Sequence, residues 1–407
     1  MSSTALVRPE THIAWRDSAP SRPAIVSTSL GPVTLHVTGD LGSLKDLWEV
    51  MQAKVSCTSA QTFDWANAWT EHVLEPEGRE AVIVVGYGAD GAPLFLWPFE
   101  MGPQFGLKVL TWLGQDHANY NMGLFAPEAA GALSGPDISQ LLREAARHVG
   151  ATAARFANQP FTWDGVANPF AKIAYQSSAN NGYALRLGDF TALYESRFSK
   201  RSRSTLDRKQ RKLLELGKLG YGWAETETEK RELLEAFFTQ KARQFAAMGI
   251  KDIFDAPARA FYRAVALLEG DNPSRLRLGY VTLDGKVLAT FSGTICHDRM
   301  GVALSSLAEG EEQRQSPGAL LLRHQIREAS EAGLAYFDLG VGRARHKDEW
   351  CDVTYPLFDS FIAFKPAGLL LTLPASTAVR LKRMIKSNRY LWPLAQRLRK
   401  YLLRREA

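Results

Sequence analysis

The sequence predicts an α/β protein made of two consecutive lobes, each a mixed central sheet flanked by helices. Three observations carry this expectation. Segments with strand and helix periodicity alternate along the chain. The order helices, hairpin with a glycine turn, strand, loop, helix, strand occurs once in each half. The 407 residues are 45% apolar and 23% charged, which provides for sizeable cores and excludes a disordered or fibrous chain. No run of about 18 apolar residues is present, so no spanning helix is expected.

The chain divides into a flexible arm over 1–30, a first lobe over 31–185, a second lobe over 186–370 and a basic tail over 371–407. The first lobe opens with a strand over 33–37, a helix over 44–55 and a helix over 63–74. The apolar side of the latter carries Phe63, Trp65, Ala68, Trp69 and Val73. Strands over 81–87 and 93–99 join through the Asp90-Gly91 turn as a hairpin. Strands over 109–112 and 122–125, a helix over 138–149 and a strand over 154–157 complete the lobe. The second lobe begins with helices over 190–219, 229–248 and 256–268. A hairpin follows over 276–283 and 286–296, turning at Asp284-Gly285, then a strand over 300–307. A helix over 317–332 and a short buried strand over 336–339 close the pattern.

Charge is uneven. The net charge is +6, yet from Arg380 onward there are ten basic residues against one acid, so the rest is slightly acidic. A second basic cluster runs from Lys200 to Lys218. An anionic partner is therefore expected at these patches and not over the whole surface. The tail alternates Leu381, Ile385, Leu391, Trp392, Leu394 and Leu398 with cations, a pattern suited to an anionic membrane surface or to packing on the body. The basic cluster lacks the interleaved aromatics of a nucleic-acid reader. Cys57, Cys296 and Cys351 are widely spaced and form no Cys-x-x-Cys, so neither a metal site nor a disulfide framework is expected. The first 30 residues lack an apolar core of the secretory type, and a reducing cytoplasm is the expected compartment.

The informative loop lies between the strand over 300–307 and the helix over 317–332. Pro317 suits a first helical turn, and Gly318 lets the backbone come close to a neighbour. The exposed amides and positive helix end make a diphosphate cradle. The run Gln313, Arg314, Gln315, Ser316, Pro317, Gly318 resembles the coenzyme-A loop of GNAT acyltransferases, Arg/Gln-x-x-Gly-x-Gly/Ala, with Ser316 in place of the first glycine. The Ser-Pro-Gly loop, the segment from Asp338 through Gly342 to Lys347, and the aromatic helix with Phe63 and Trp65 are similar to the CelD/BcsL-like branch associated with cellulose and exopolysaccharide synthesis. His346 stands where that branch usually has tyrosine.

The resemblance implies two fused GNAT-like lobes, related to the Fem aminoacyltransferases, with an acyl-CoA cosubstrate held by Gln313, Arg314, Gln315, Ser316, Gly318 and Ala319. The first lobe has no comparable loop and is expected to shape the acceptor site. His346 is the first candidate base, since an unperturbed histidine titrates near neutrality. Asp338 is a candidate to orient it or the acceptor, and Lys347 to hold an anionic group or Asp338. In the first lobe Asp116 and His117 form a second candidate base pair. Asn119 and Tyr120 are expected to hydrogen-bond a saccharide. The expected function is acyl-CoA-dependent N-acyl transfer, acetyl transfer foremost, to a saccharide or amino-sugar precursor in polysaccharide or envelope biosynthesis. Two alternatives stay open. One is a Fem-type aminoacyltransferase using aminoacyl-tRNA; the other is a non-catalytic scaffold for a polysaccharide synthase, which the basic tail would touch at the inner membrane.

Overall fold

A computed structural model describes residues 24–388 and residue 391. Two mixed sheets form the frame. The first runs Ala24–Thr28, Gly31–Thr38, Glu80–Tyr87, Pro93–Gln104, Leu107–Trp112, Ala153–Pro160, Leu357–Ala363, Gln176–Ser177, with Leu124–Phe125 against Pro93–Gln104. The second runs Leu219–Trp223, Gly279–Leu283, Lys286–Cys296, Arg299–Leu307, Tyr336–Val341, Gly182–Arg186, Val353–Tyr355. The expected hairpins and helices form within a few residues of their predicted ends. Leu107–Trp112 is parallel to Ala153–Pro160, and Arg299–Leu307 is parallel to Tyr336–Val341.

Two strands depart from the predicted division at 185/186. That boundary falls inside Gly182–Arg186, which lies in the second sheet. Leu357–Ala363, on the far side of it, lies in the first sheet, antiparallel to Ala153–Pro160. The lobes thus exchange their closing strands. The arm expected over 1–30 contains the strand Ala24–Thr28, paired with Gly31–Thr38; residues 1–23 lie outside the described residues. The basic tail begins in the helix Leu369–Ser387. Arg380 and Lys386 tie that helix to Gln176 and Asn180. Residues 389–390 and 392–407, with Trp392, Leu394 and Leu398, lie outside the description. No described helix is long and apolar enough to cross a membrane.

Alternation explains how Pro93–Gln104 serves two cores. Phe95, Trp97, Phe99 and Met101 face the helix Gly135–His148, together with Trp112, Phe156 and Phe170. Leu96 faces the junction with the second lobe. There Trp65 and Trp69 of the helix Phe63–Trp69 meet Phe261 of the helix Ala256–Leu267, with ring centroids 5.0 and 5.1 Å apart. Edge-to-face pairs of this kind contribute about 0.5–1.5 kcal/mol beyond their buried area. The helix Glu227–Met248 adds Leu233, Leu234, Phe237 and Phe238 to the same cluster, so one core runs continuously across both lobes.

Candidate active site

In the second lobe the parallel strands pair only from Arg299↔Tyr336 to Gly301↔Asp338 and then diverge. A bulge helps to turn the edge away. Ser292 opposes Leu304 and Gly293 opposes Val302, so Ala303 is left without an opposite residue. Gly293 is required there, because a Cβ would stand 2.1 Å from the Gly301 carbonyl oxygen. The edge freed by the divergence exposes backbone acceptors. Val302 O accepts from Asn119 Nδ2 at 2.8 Å, Ser305 O from Lys241 Nζ at 3.1 Å and Leu307 O from Gln244 Nε2 at 3.1 Å. Asn119 Oδ1 also accepts from Val341 N at 3.3 Å, so this one side chain closes the base of the gap. Asn121 does the same in the first lobe, with its N and Nδ2 donating to Asn158 O and Ala157 O.

The two equivalent helix starts differ. In the first lobe the helix Gly135–His148 is capped by Ser134 and Asp137, and Ser29 adds two donors to the Asp137 carboxylate. Lys172 Nζ covers the carbonyls of Ala130, Gly131 and Leu133 beside it. That corner is filled. In the second lobe the helix Pro317–Glu331 has no side-chain cap. Ser316, in the left-handed region at φ 55°, closes the preceding turn, and its carbonyl accepts from Ala319 N and Leu320 N. The Gly318 amide keeps no hydrogen-bond partner among the described residues. Lys209 Nζ, from the helix Lys200–Leu216, donates to Ser316 Oγ at 2.7 Å. An uncapped helix start with a cation beside it is suited to an anion. Of the expected loop residues, Gln313 bonds to Ala308 O and exposed Arg314 pairs with Glu311, so these two side chains are turned to their own loop. Gln315 is half-buried in the turn, and Ala319 is exposed in the first helical turn.

A cavity of about 60 Å³ lies between the lobes on the other side of the bulge. Asn119, Tyr120 and His117 reach it from the first lobe, and Arg299, Val302 and Asp338 from the second. Asp338 is fully buried and accepts from Tyr120 Oη at 2.9 Å and from the Gly340 amide at 2.8 Å. Burial pushes its carboxyl up, opposed by Arg299, the Gly340 amide and Tyr120. Arg299 stands 3.4 Å from Asp338, donates to Tyr355 and Asp164, and stacks between the Tyr336 and Trp163 rings. Burial and Asp338 hold the Tyr120 phenol protonated.

The predicted catalytic cluster does not assemble. His346 is exposed on the short helix Arg345–Trp350 and does not line the cavity. Asp338 spends its acceptors on Tyr120, Gly340 and Arg299, so it does not orient His346. Lys347 is buried and donates to the carbonyls of Gly340 and Val341, each at 3.0 Å; it holds backbone and no anion. Burial brings its amine down to about 8. Asp116 is exposed and does not pair with His117, whose Nδ1 is 3.1 Å from Tyr262 Oη. Packing against Trp69 and Phe254 buries His117, and burial lowers its pKa. Sequence reasoning also missed Glu100. It is fully buried and accepts from Trp69 Nε1, Thr111 and the Gly114 amide, and it pairs with Arg79. This carboxylate fixes the start of the loop that carries His117 and Asn119. A lone glutamate within an apolar strand was the available signal.

Residues 200–348 match the family described as acetyltransferase (GNAT) domain. The second lobe carries an acyltransferase domain. The match covers the uncapped helix, the bulged strand and Asp338, but not the first lobe. No curated protein matches the chain. Among solved structures, FemX superposes with a TM-score of 0.56 at 12% identity, covering 83% of this chain and all (100%) of that one. A conserved protein of unknown function from Bacteroides thetaiotaomicron gives 0.50 at 11% identity, covering 81% and 99%. At such identities the likeness establishes the fold, which is a pair of GNAT-like lobes.

Proposed function

We propose that the protein is an acyl-CoA-dependent N-acyltransferase whose acceptor, an amino sugar or saccharide precursor of a polysaccharide or envelope polymer, sits in the cavity between the lobes. The observation that carries this reading is the contrast between the two helix starts. The first lobe's is filled by Ser134, Asp137 and Lys172, while the second lobe's leaves the Gly318 amide free beside Lys209. A coenzyme diphosphate would be held by that amide, the helix end and Lys209. Its extended arm would follow the free edge of Arg299–Leu307, taking over the carbonyls that Lys241 and Gln244 now cover. Asn119 sets the end of that path, beside the bulge that the cavity also touches. On the cavity side His117 keeps Nε2 without a hydrogen-bond partner among the described residues and, being shifted toward the neutral form, is the base for the acceptor ammonium. The saccharide context comes from the sequence resemblance; Asn119 and Tyr120, expected to hydrogen-bond the sugar, instead commit their side chains to Val302, Val341 and Asp338 and only shape the cavity wall.

The basic helix Lys200–Leu216, with Lys200, Arg201, Arg208, Arg211 and Lys212 exposed, supports a second reading in which aminoacyl-tRNA is the donor. Thermal unfolding separates the two. Coenzyme A or acetyl-CoA is expected to raise the melting temperature, and Gly318→Glu to abolish the rise. Stabilisation by aminoacyl-tRNA alone would favour the second reading, and no response to either would leave a scaffold.

A further inference from the structure

We infer that Cys57, Cys296 and His297 form a binding site for a soft divalent cation, Zn²⁺, which ties the first lobe to the second. The three donor atoms lie within 4.8 Å of one another, and Cys57 Sγ is 3.9 Å from His297 Nε2. With Zn–S near 2.3 Å and Zn–N near 2.0–2.1 Å, the ligands of a tetrahedral zinc stand about 3.5–3.8 Å apart, so closure requires only small side-chain movements. Two thiols and an imidazole are the donor set that favours zinc over the hard cations. Both cysteines are buried at the cavity wall, and His297 beside them is exposed.

The backbone holds both halves of the set in place. Cys57 directly precedes the turn capped by Thr58 and Gln61, and Trp48 Nε1 donates to the Gln61 carbonyl. Thr294 Oγ1 donates to Ser59 Oγ across the lobe junction. Cys296 ends the strand Lys286–Cys296, and His297 occupies the following turn with φ 54°, a conformation non-glycine residues seldom adopt. The neighbouring Asp298 carbonyl accepts from Ala335 N and Tyr336 N, which pins that turn to the sheet. Cys296 Sγ donates to the Cys57 carbonyl at 3.5 Å, so the two loops are already in contact beside the donor atoms. On binding, two S–H bonds break and two Zn–S bonds and one Zn–N bond form. Both thiol protons leave to solvent, and a water from the cavity completes the fourth position.

The test uses the full chain, reduced with a phosphine and freed of metal by a chelator, then titrated with Co²⁺ and afterwards Zn²⁺. One equivalent of cobalt should bind with thiolate-to-cobalt charge-transfer absorption, and zinc should bleach it. In weak buffer, zinc should release about two protons per chain. Cys57→Ser should abolish the charge-transfer band or shrink it severalfold. His297→Ala, at an exposed position, should weaken zinc binding at least tenfold while the circular dichroism stays unchanged. Absence of a thiolate–cobalt band in the reduced protein overturns the inference. A full band in both variants overturns it equally, because the metal then lies elsewhere.

Discussion

At the scale of single residues, the site turns on which histidine the cavity receives. His346 was the legible choice from sequence, since it stands in the segment that resembles the acyltransferase family and among cations. It is nevertheless exposed, while His117 is drawn inward by Trp69, Phe254 and Tyr262. No local pattern announces that packing, because Tyr262 is 145 residues away. Burial lowers the His117 pKa below the histidine value of 6.5, so the imidazole is neutral at pH 7 and becomes charged only as pH falls through that depressed value. As a base it is active when neutral. Thiol release from acetyl-CoA with an amino-sugar acceptor should therefore hold its kcat/KM at neutral pH and lose it on acidification, below the range of an ordinary histidine. His117→Gln should lower kcat/KM by roughly 10²–10⁴-fold, and His346→Gln should leave it within a fewfold. The opposite ranking, read from the same thiol assay, would return the base to His346. The proposed zinc ligands follow the same rule. The cysteines lack close spacing in sequence, and the exclusion of a metal site rested on that spacing alone, yet the fold brings Cys57 against Cys296 and His297.

At the scale of elements, most of the fold was legible because its signals are local. Ala81–Tyr87 is a run of β-branched and apolar residues before an Asp-Gly turn, and Pro317 with the apolar positions Leu322, Ile326 and Ala329 marks a helix packed on a sheet. The elements missed are short or lie next to helices. The sequence reading ends the preceding helix at residue 219 and assigns no element to the strand Leu219–Trp223 or to the short helix Arg345–Trp350. The two helix starts make the functional difference testable within one molecule. Ser134→Ala removes a capping box and should cost about 1 kcal/mol of stability in denaturant unfolding. It should leave coenzyme A binding unchanged, since that corner is occupied by Asp137 and Lys172. Lys209→Ala removes one charge-assisted contact at a half-buried edge. It should weaken coenzyme A binding roughly tenfold in calorimetry, with stability shifted by no more than about 0.5–1 kcal/mol. Equal effects of the two variants on binding would mean that the start of Pro317–Glu331 is not the cradle.

At the scale of the whole molecule, the exchange of closing strands decides how the protein can fold. The repeat was visible in sequence as two similar runs of elements, and the simplest expectation was one lobe per run. Strand partners, however, are set by contacts distant in the chain, which neither alternation nor turn residues encode. Leu357–Ala363 buries Phe358 against the first sheet, and Gly182–Arg186 buries Ala184 and Leu185 in the second. A chain cut at 185/186 would sever one of these strands. It would also leave the edge of Ala153–Pro160 open, an unpaired edge of the sort that promotes association. The continuous core, with Trp65 and Trp69 on one side and Phe237, Phe238 and Phe261 on the other, would lose half its partners as well. Residues 1–185 and 186–407 expressed separately should therefore be insoluble or lack the near-ultraviolet circular dichroism of packed aromatics. The intact chain should unfold in a single transition, with tryptophan fluorescence and far-ultraviolet circular dichroism coincident. Two separated transitions, or a soluble and cooperatively folded fragment 1–185, would show that the exchanged strands are dispensable and that each lobe folds by itself.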